Sequence, residues 1–407
     1  MFDPIMIEAW AEFAVRWLHV ITAIAWIGSS FYFIALDLGL RKASDMPNLA
    51  NGEEWQVHGG GFYHITKYMV APARLPEHLI WFKWESYATW LSGFVLLVLV
   101  YYLGAELYLV DPNVLDIPVW VGIVISLGSL AFGWIAYDLL CKSKFGDDNT
   151  RLMVLLFGLL VVMSWGYTQV FSGRAALLHL GAFTATIMSA NVFMIIIPNQ
   201  KIVVADLKAG RTPDAKYGKI AKQRSTHNNY LTLPVLFLML SNHYPLAFAS
   251  QYNWLIAALV FLTGVTIRHF FNTMHAKQGM LWWTWGLTAG LFAAIMWLST
   301  LGIPDTAVEG EAQLSREAQR FADANGFTEV HDIVLANCSM CHAREVYYPG
   351  LAWAPKGVVL ESEADVASQA RAIFLQAGVS HAMPPGVVNY MEPEDRAAIV
   401  AWFRGAY

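Results

Sequence analysis

Five residues near the C-terminus carry the most specific chemistry in the chain. Cys338-Ser339-Met340-Cys341-His342 is a C-x-x-C-H sequence, the attachment pattern of a c-type haem. Two thiols three residues apart on one helical turn reach two vinyl groups on the same porphyrin edge. The adjacent His342 then comes under the iron as an axial ligand. A zinc half-site needs further Cys or His ligands nearby, and the only other cysteine, Cys141, lies far upstream. A redox dithiol expects a βαβ context, which is missing here. A low-spin cytochrome needs a sixth ligand, and Met raises its potential. Met383, in His381-Ala382-Met383-Pro384-Pro385-Gly386, is the leading candidate, because the prolines stiffen an extended loop that can hold a thioether at the iron. Met391 and His381 compete with it, while Met340 sits inside the motif and cannot reach the distal face. The cofactor expected here is one covalent haem c with His342 and Met383 on the iron.

A second set of polar residues lies in apolar surroundings, where ionisable side chains are costly and so mark function. His19, close to Arg16, His179, close to Arg174, and His243 are expected at one depth, on the side that carries the haem motif. Two of the three could ligate a non-covalent haem b, with Arg16 and Arg174 on its propionates. The competing reading gives each His a hydrogen bond to a neighbouring helix. Toward the other side, Arg268, Asn272 and His275 follow in steps of four and three and return to one helix face, while His269 points elsewhere. Thr226, His227, Asn228, Asn229 and Tyr230 add an unusually polar span end. Such a group could bind a small planar anion through Arg and amide side chains, with a His handling protons. Arg268, Asn272, His275 and His227 are therefore the candidate catalytic residues, against the plainer reading of a solvated helix end. His58, His64 and His78 have no assignable role, and Cys141 reads as a reduced structural thiol. Gly59-Gly60-Gly61 is not a phosphate loop: no Lys-Ser/Thr follows and no strand is expected before it.

The elements that must position these residues are membrane helices. Hydrophobic residues make up 57% of the 407 and charged ones 14%, well short of the roughly 25% charged content of soluble chains. The deficit excludes an ordinary soluble enzyme and a disordered chain. A net charge of −5 argues against a nucleic-acid partner. Eight runs are long and apolar enough to span: approximately 13–38, 87–109, 119–140, 152–171, 175–197, 229–247, 253–271 and 281–301. The sixth is interrupted by Pro234, Asn242, His243 and Pro245. Loops after the odd-numbered spans hold nearly all the loop Lys and Arg, including Arg41, Lys67, Arg74, Lys142, Lys201, Arg224 and Lys277. The positive-inside rule then puts those loops in the cytoplasm and both termini in the periplasm. The acidic start MFDPIMIEAWAEF lacks the basic n-region of a cleaved signal peptide, so the first span is expected to stay. After Leu301 the chain turns polar and acidic, with 14 Asp/Glu against 7 Lys/Arg in 302–407, which suits docking to a basic partner surface. The expected division is a membrane domain over 1–303, a linker over 304–313 and a small soluble domain over 314–407. The fold class is all-α: a polytopic bundle of about eight transmembrane helices plus that small domain.

The tail resembles a class I cytochrome c at Cys338, Cys341, His342 and Met383, with a helix before the motif and another, from Pro393, packing across it. The whole chain resembles the membrane-bound urate hydroxylases of bacteria (the PuuD type). That resemblance rests on RWLHVITAIAWIG in the first span, STHNNYLTLPVLFLMLSNHYP at the sixth, and the domain order. It implies a multi-pass protein of the bacterial inner membrane that oxidises urate to 5-hydroxyisourate. The oxygen comes from water, not O2. Electrons leave through the c-type haem to a cytochrome or terminal oxidase of the respiratory chain. Two other readings stay open. One is an electron-transfer module fed by quinol or a partner dehydrogenase, and the other a haem-handling or haem-precursor oxidase.

Overall fold

The computed structural model describes residues 4–68, 72, 75–301, 314–349, 351, 354–386 and 388–406. The expected linker 304–313 and Arg74 lie outside the described residues. In hydrocarbon every backbone N–H and C=O must be satisfied within its own segment, so the apolar runs fold as helices. Eight of them form the bundle: α1 (Pro4–Gly39), α2 (Trp84–Tyr102), α3 (Val119–Lys142), α4 (Asn149–Thr168), α5 (Gly173–Lys208), α6 (Ala215–Leu240), α7 (Asn253–His275) and α8 (Trp283–Thr300). Among the described residues six of these, all but α6 and α8, are long and apolar enough to cross a bilayer. All-α polytopic architecture is thus what the chain adopts.

Several starts are written in the sequence. Asp148 accepts from the N–H groups of Thr150 and Arg151 ahead of α4, Ser172 from Ala175 ahead of α5, and Asp214 from Lys216 ahead of α6. The sixth run differs from expectation. Its helix begins at Ala215 and ends at Leu240; Ser241–His243 form a 3₁₀ turn, and Pro245 opens a separate short helix, Pro245–Phe248. Pro245 has no N–H to continue the ladder, and its ring suits a first helical turn. The fifth run also exceeds its expected end, because α5 stays helical past the apolar residues to Lys208.

Helix α5 is the hub. Leu177, Leu180, Phe183 and Ile187 are buried on it, packed among α3, α4 and α6. Small residues let the helices close up: a Cβ on Gly133 of α3 would lie 2.5 Å from the Phe183 ring, and one on Gly264 of α7 would lie 2.5 Å from Pro234 of α6. The outer faces, including Trp10, Trp17, Ile24, Trp120 and Trp297, are exposed and apolar, as lipid-facing surface is.

Two features break the helical pattern. Between α1 and α2, β1 (Ala50–His58) pairs antiparallel with β2 (Gly61–Tyr68). A strand therefore does precede Gly59-Gly60, contrary to expectation. Those glycines, at φ +60° and +80°, form the tight turn that a two-residue hairpin requires. The hairpin marks one end of the bundle, the hairpin end. At the other, the tail end, sits the small domain: α9 (Arg316–Ala322), α10 (Phe327–His342), α11 (Glu363–Ser368), α12 (Ala370–Val379) and α13 (Pro393–Gly405). It has its own core of Phe321, Val334, Phe374, Met391, Ile399 and Trp402. Arg371 of the tail bonds Glu8 of α1 at 3.0 Å, and Gly357 lies against Pro245.

Candidate active site

Arg268 on α7 is the least expected charge in the bundle. It is buried, yet its partners are amides. Its Nε donates to Asn229 Oδ1 at 3.3 Å and its Nη2 to Asn272 Oδ1 at 3.0 Å. Asn272 Nδ2 donates to the same Asn229 oxygen at 2.9 Å. The guanidinium lies 4.1 Å from the centre of the Phe31 ring of α1, a cation–π contact. Among the described residues no carboxylate pairs with it. A cation held in low dielectric by neutral groups keeps most of its charge for a ligand. Asn229 adds a buried Nδ2 without a partner, and His275 a buried Nδ1 without one.

A cleft of about 560 Å³ at the hairpin end meets this group at Asn272. Asp37, Lys67, Trp81, Lys222, Tyr230 and Asn272 are among the residues that line it. The arrangement can take a flat, anionic molecule: an aromatic plane, a guanidinium fork and amides that donate and accept.

The structure brings Arg268 and Asn272 together, as steps of four on a helix require, with His275 one turn beyond Asn272. It does not bring His227 to them. Asn229 and His227 are two residues apart, about 200° around α6, and face opposite sides. His227 instead bonds Tyr137 at 2.8 Å through Nδ1. It belongs to a second buried group in which Asn191 donates to Tyr137 and Asn228, and Arg224 donates to Asn191 at 3.2 Å and Asp138 at 2.7 Å. In sequence, Arg224 reads only as a loop charge. The clues to this group were Asp138 and Asn191, single polar residues in apolar runs. A π-turn over Asn191–Ile196 follows in α5, an irregularity common where a helix is bent to a task. Cys141 is a free thiol beside Tyr137.

The three histidines expected at one depth sit among different neighbours. His19 Nδ1 donates to Thr89 O at 3.0 Å, with its ring against Gly93 of α2. His179 has both ring nitrogens engaged, with Ala175 O and Ser126 Oγ, each at 2.8 Å. His243 is exposed. Arg16 is paired with Glu12, and Arg174 stacks on Tyr108 and Phe248. Among the described residues no three His, Cys, Asp or Glu side chains gather as a metal site. His179 in particular matches the hydrogen-bonded helix contact, not a free ligand.

In the tail, Cys338, Cys341 and His342 end α10. His342 Nδ1 lies 2.8 Å from Val358 O. A carbonyl only accepts, so Nδ1 carries the hydrogen and Nε2 keeps its lone pair for a metal. Met391 is 1% exposed within the core, whereas Met383 is 37% exposed on the loop. That loop is tied to α10 by Asn389 Nδ2 donating to Asn337 at 2.9 Å. Burial, then the neighbouring Cys341, pushes the Cys338 thiol up to about 11, so it stays protonated at neutral pH. α13 packs across α10 through Trp402 and Phe327.

Fold and site together define a polytopic α-helical membrane protein with a buried, amide-held arginine and a small helical domain at one end. The chain belongs to the urate oxidase N-terminal family, which matches residues 5–299. The match takes in the eight bundle helices and the hairpin. That membership makes the chain a urate-related oxidoreductase. Comparison with curated proteins and with solved structures gave no match.

Proposed function

We propose that the chain oxidises urate to 5-hydroxyisourate in the Arg268 cleft, with water as the oxygen source, and hands the electrons to a covalent c-type haem in the tail. The observation that carries this reading is Arg268 itself: a buried cation without a carboxylate, hydrogen-bonded to Asn272 in the wall of a cleft, in a urate family. Urate at neutral pH is a planar monoanion rich in hydrogen-bonding groups. Arg268 would hold its negative edge, Asn229 Nδ2 and Asn272 would fix its orientation, and Phe31 would back the guanidinium. His275, with its free Nδ1, is placed to take the proton released when water adds.

The tail residues fit a haem. Cys338 and Cys341 would hold it through thioethers, His342 would supply one axial nitrogen and Met383 the other ligand. A haem there would accept electrons one at a time. The electron acceptor beyond it would be a cytochrome or oxidase of the respiratory chain, and the basic loops support a reading with the hairpin end in the cytoplasm and the tail in the periplasm of a bacterial inner membrane. The test is anaerobic addition of urate to the purified protein with haem absorbance followed. Reduction of the c-type band without any added protein supports the reading. A band that stays oxidised, while dithionite reduces it, leaves only an electron-transfer module.

A further inference from the structure

The two sites lie at opposite ends of the bundle. From Asn253, at the tail end of α7, to Arg268 is fifteen residues, about 22 Å of helical rise. That is most of a hydrocarbon core about 30 Å thick. The tail end is fixed by contacts: Asn253 Nδ2 donates to Phe248 O at 3.0 Å, Pro245 of the same corner meets Gly357, and Val358 next to Gly357 carries the carbonyl that holds His342. The cleft lined by Asn272, the hydrogen-bond partner of Arg268, is also lined by Asp37, Lys67, Gln200 and Lys222, all at the hairpin end. Substrate therefore arrives on one side of the membrane, and the residues that would bind the electron acceptor lie on the other.

We infer that turnover is electrogenic: each urate oxidised in the Arg268 cleft sends two electrons across most of the membrane, from the hairpin end to the tail. This rests on the proposed urate reaction. Its balance is urate monoanion plus water giving 5-hydroxyisourate, one proton and two electrons. The C5–O bond forms, one proton is released on the cleft side while the product gains the other hydrogen of water, and the electrons leave singly toward the residues that would hold the tail haem. Charge is thus separated along the bundle axis, and a membrane potential acts on the reaction. With the hairpin end negative, the field drives electrons toward the tail. At 100 mV, one electron crossing about two-thirds of the field shifts its transfer equilibrium on the order of tenfold.

The full chain reconstituted in vesicles tests this. Tail-out molecules are read by trapping urate inside and setting the potential with a potassium gradient and valinomycin. The c-type absorbance and a potential-sensitive dye are followed together. Interior urate should reduce the haem severalfold faster when the interior is negative than when it is positive, and with no imposed potential the dye should report the interior becoming more positive. Urate supplied only outside should act slowly. Reduction at one rate under both polarities, with no dye response, overturns the inference. The same preparation in detergent separates the two failures: urate that reduces the haem there but ignores the potential sinks the charge movement alone, whereas urate that never reduces it sinks the reaction it rests on.

Discussion

Arg268 and Asn229 meet across the α6–α7 seam through a single oxygen, Oδ1 of the asparagine, and that same oxygen also accepts from Asn272. The pair fixes the guanidinium without neutralising it. A carboxylate would hold the arginine more strongly, but it would also cancel the charge on which an anionic substrate depends.

Removing the guanidinium should therefore cost binding and spare the tail. Arg268→Ala loses hydrogen bonds to a charged group, about 1.5–3 kcal/mol, or on the order of 10- to 100-fold in urate Kd. Arg268→Lys keeps the charge but not the fork, and should recover part of the loss. Equilibrium urate binding measures both, with covalent haem content as the control. An unchanged Kd in Arg268→Ala would move the substrate site elsewhere.

Asn229→Asp is the sharper change. The carboxylate occupies the same volume and keeps the acceptor, so it forms a buried ion pair with Arg268. Protein folding should be retained, since the pair is hydrogen-bonded and needs no cavity. Urate affinity should fall at least as far as in Arg268→Ala, because the site is now neutral and has lost the free Nδ2 donor. Thermal unfolding and urate binding, run on one preparation, read the two effects apart. A variant that binds urate normally contradicts the anion argument.

Much of this was legible in the residues and some was not. The span order follows from hydropathy, and Asp148, Ser172 and Asp214 announce three helix starts. The end of α5 was not legible, because hydropathy marks where a helix leaves the membrane, not where it stops being helical. Arg268 and Asn272 were found by helical spacing. His227, expected beside them, meets Tyr137 instead, since neighbours in sequence can lie on opposite faces of a helix. Phe31 carried no signal, being one aromatic among many in an apolar run. The hairpin was hidden by its polar strands, Glu53 and Glu54 among them, which pair at the bundle end without a buried face.

The tail offers two methionines that the sequence alone left in competition, and burial separates them. Met391→Ala deletes a core side chain and should cost about 2–5 kcal/mol of tail stability, with little effect on the haem potential. Met383→Ala should do the reverse: the haem stays covalently bound through Cys338 and Cys341, the fold persists, and the reduction potential falls as the thioether is lost. Redox titration and thermal melts of the two variants decide the assignment. A potential lowered only in Met391→Ala would exchange their roles.

Gly264 sets the spacing of two helices without being a substrate ligand in the proposed site. Gly264 lies one turn from Arg268 on α7, where a Cβ would sit 2.5 Å from Pro234 Cδ of α6. A proline ring is rigid and cannot swing aside, so Gly264→Ala must push α6 and α7 apart. Overpacking of this kind costs about 1–3 kcal/mol. The functional cost should be larger than the stability cost suggests, because the displaced helices carry Asn229 and Arg268 at one end of their hydrogen bond. Turnover with urate should drop well before the protein unfolds, while dithionite still reduces the tail haem fully. Gly128 of α3, where an added Cβ meets nothing within 4 Å, provides the matched control. Equal turnover in Gly264→Ala and Gly128→Ala would show that the α6–α7 spacing does not set the geometry of the site.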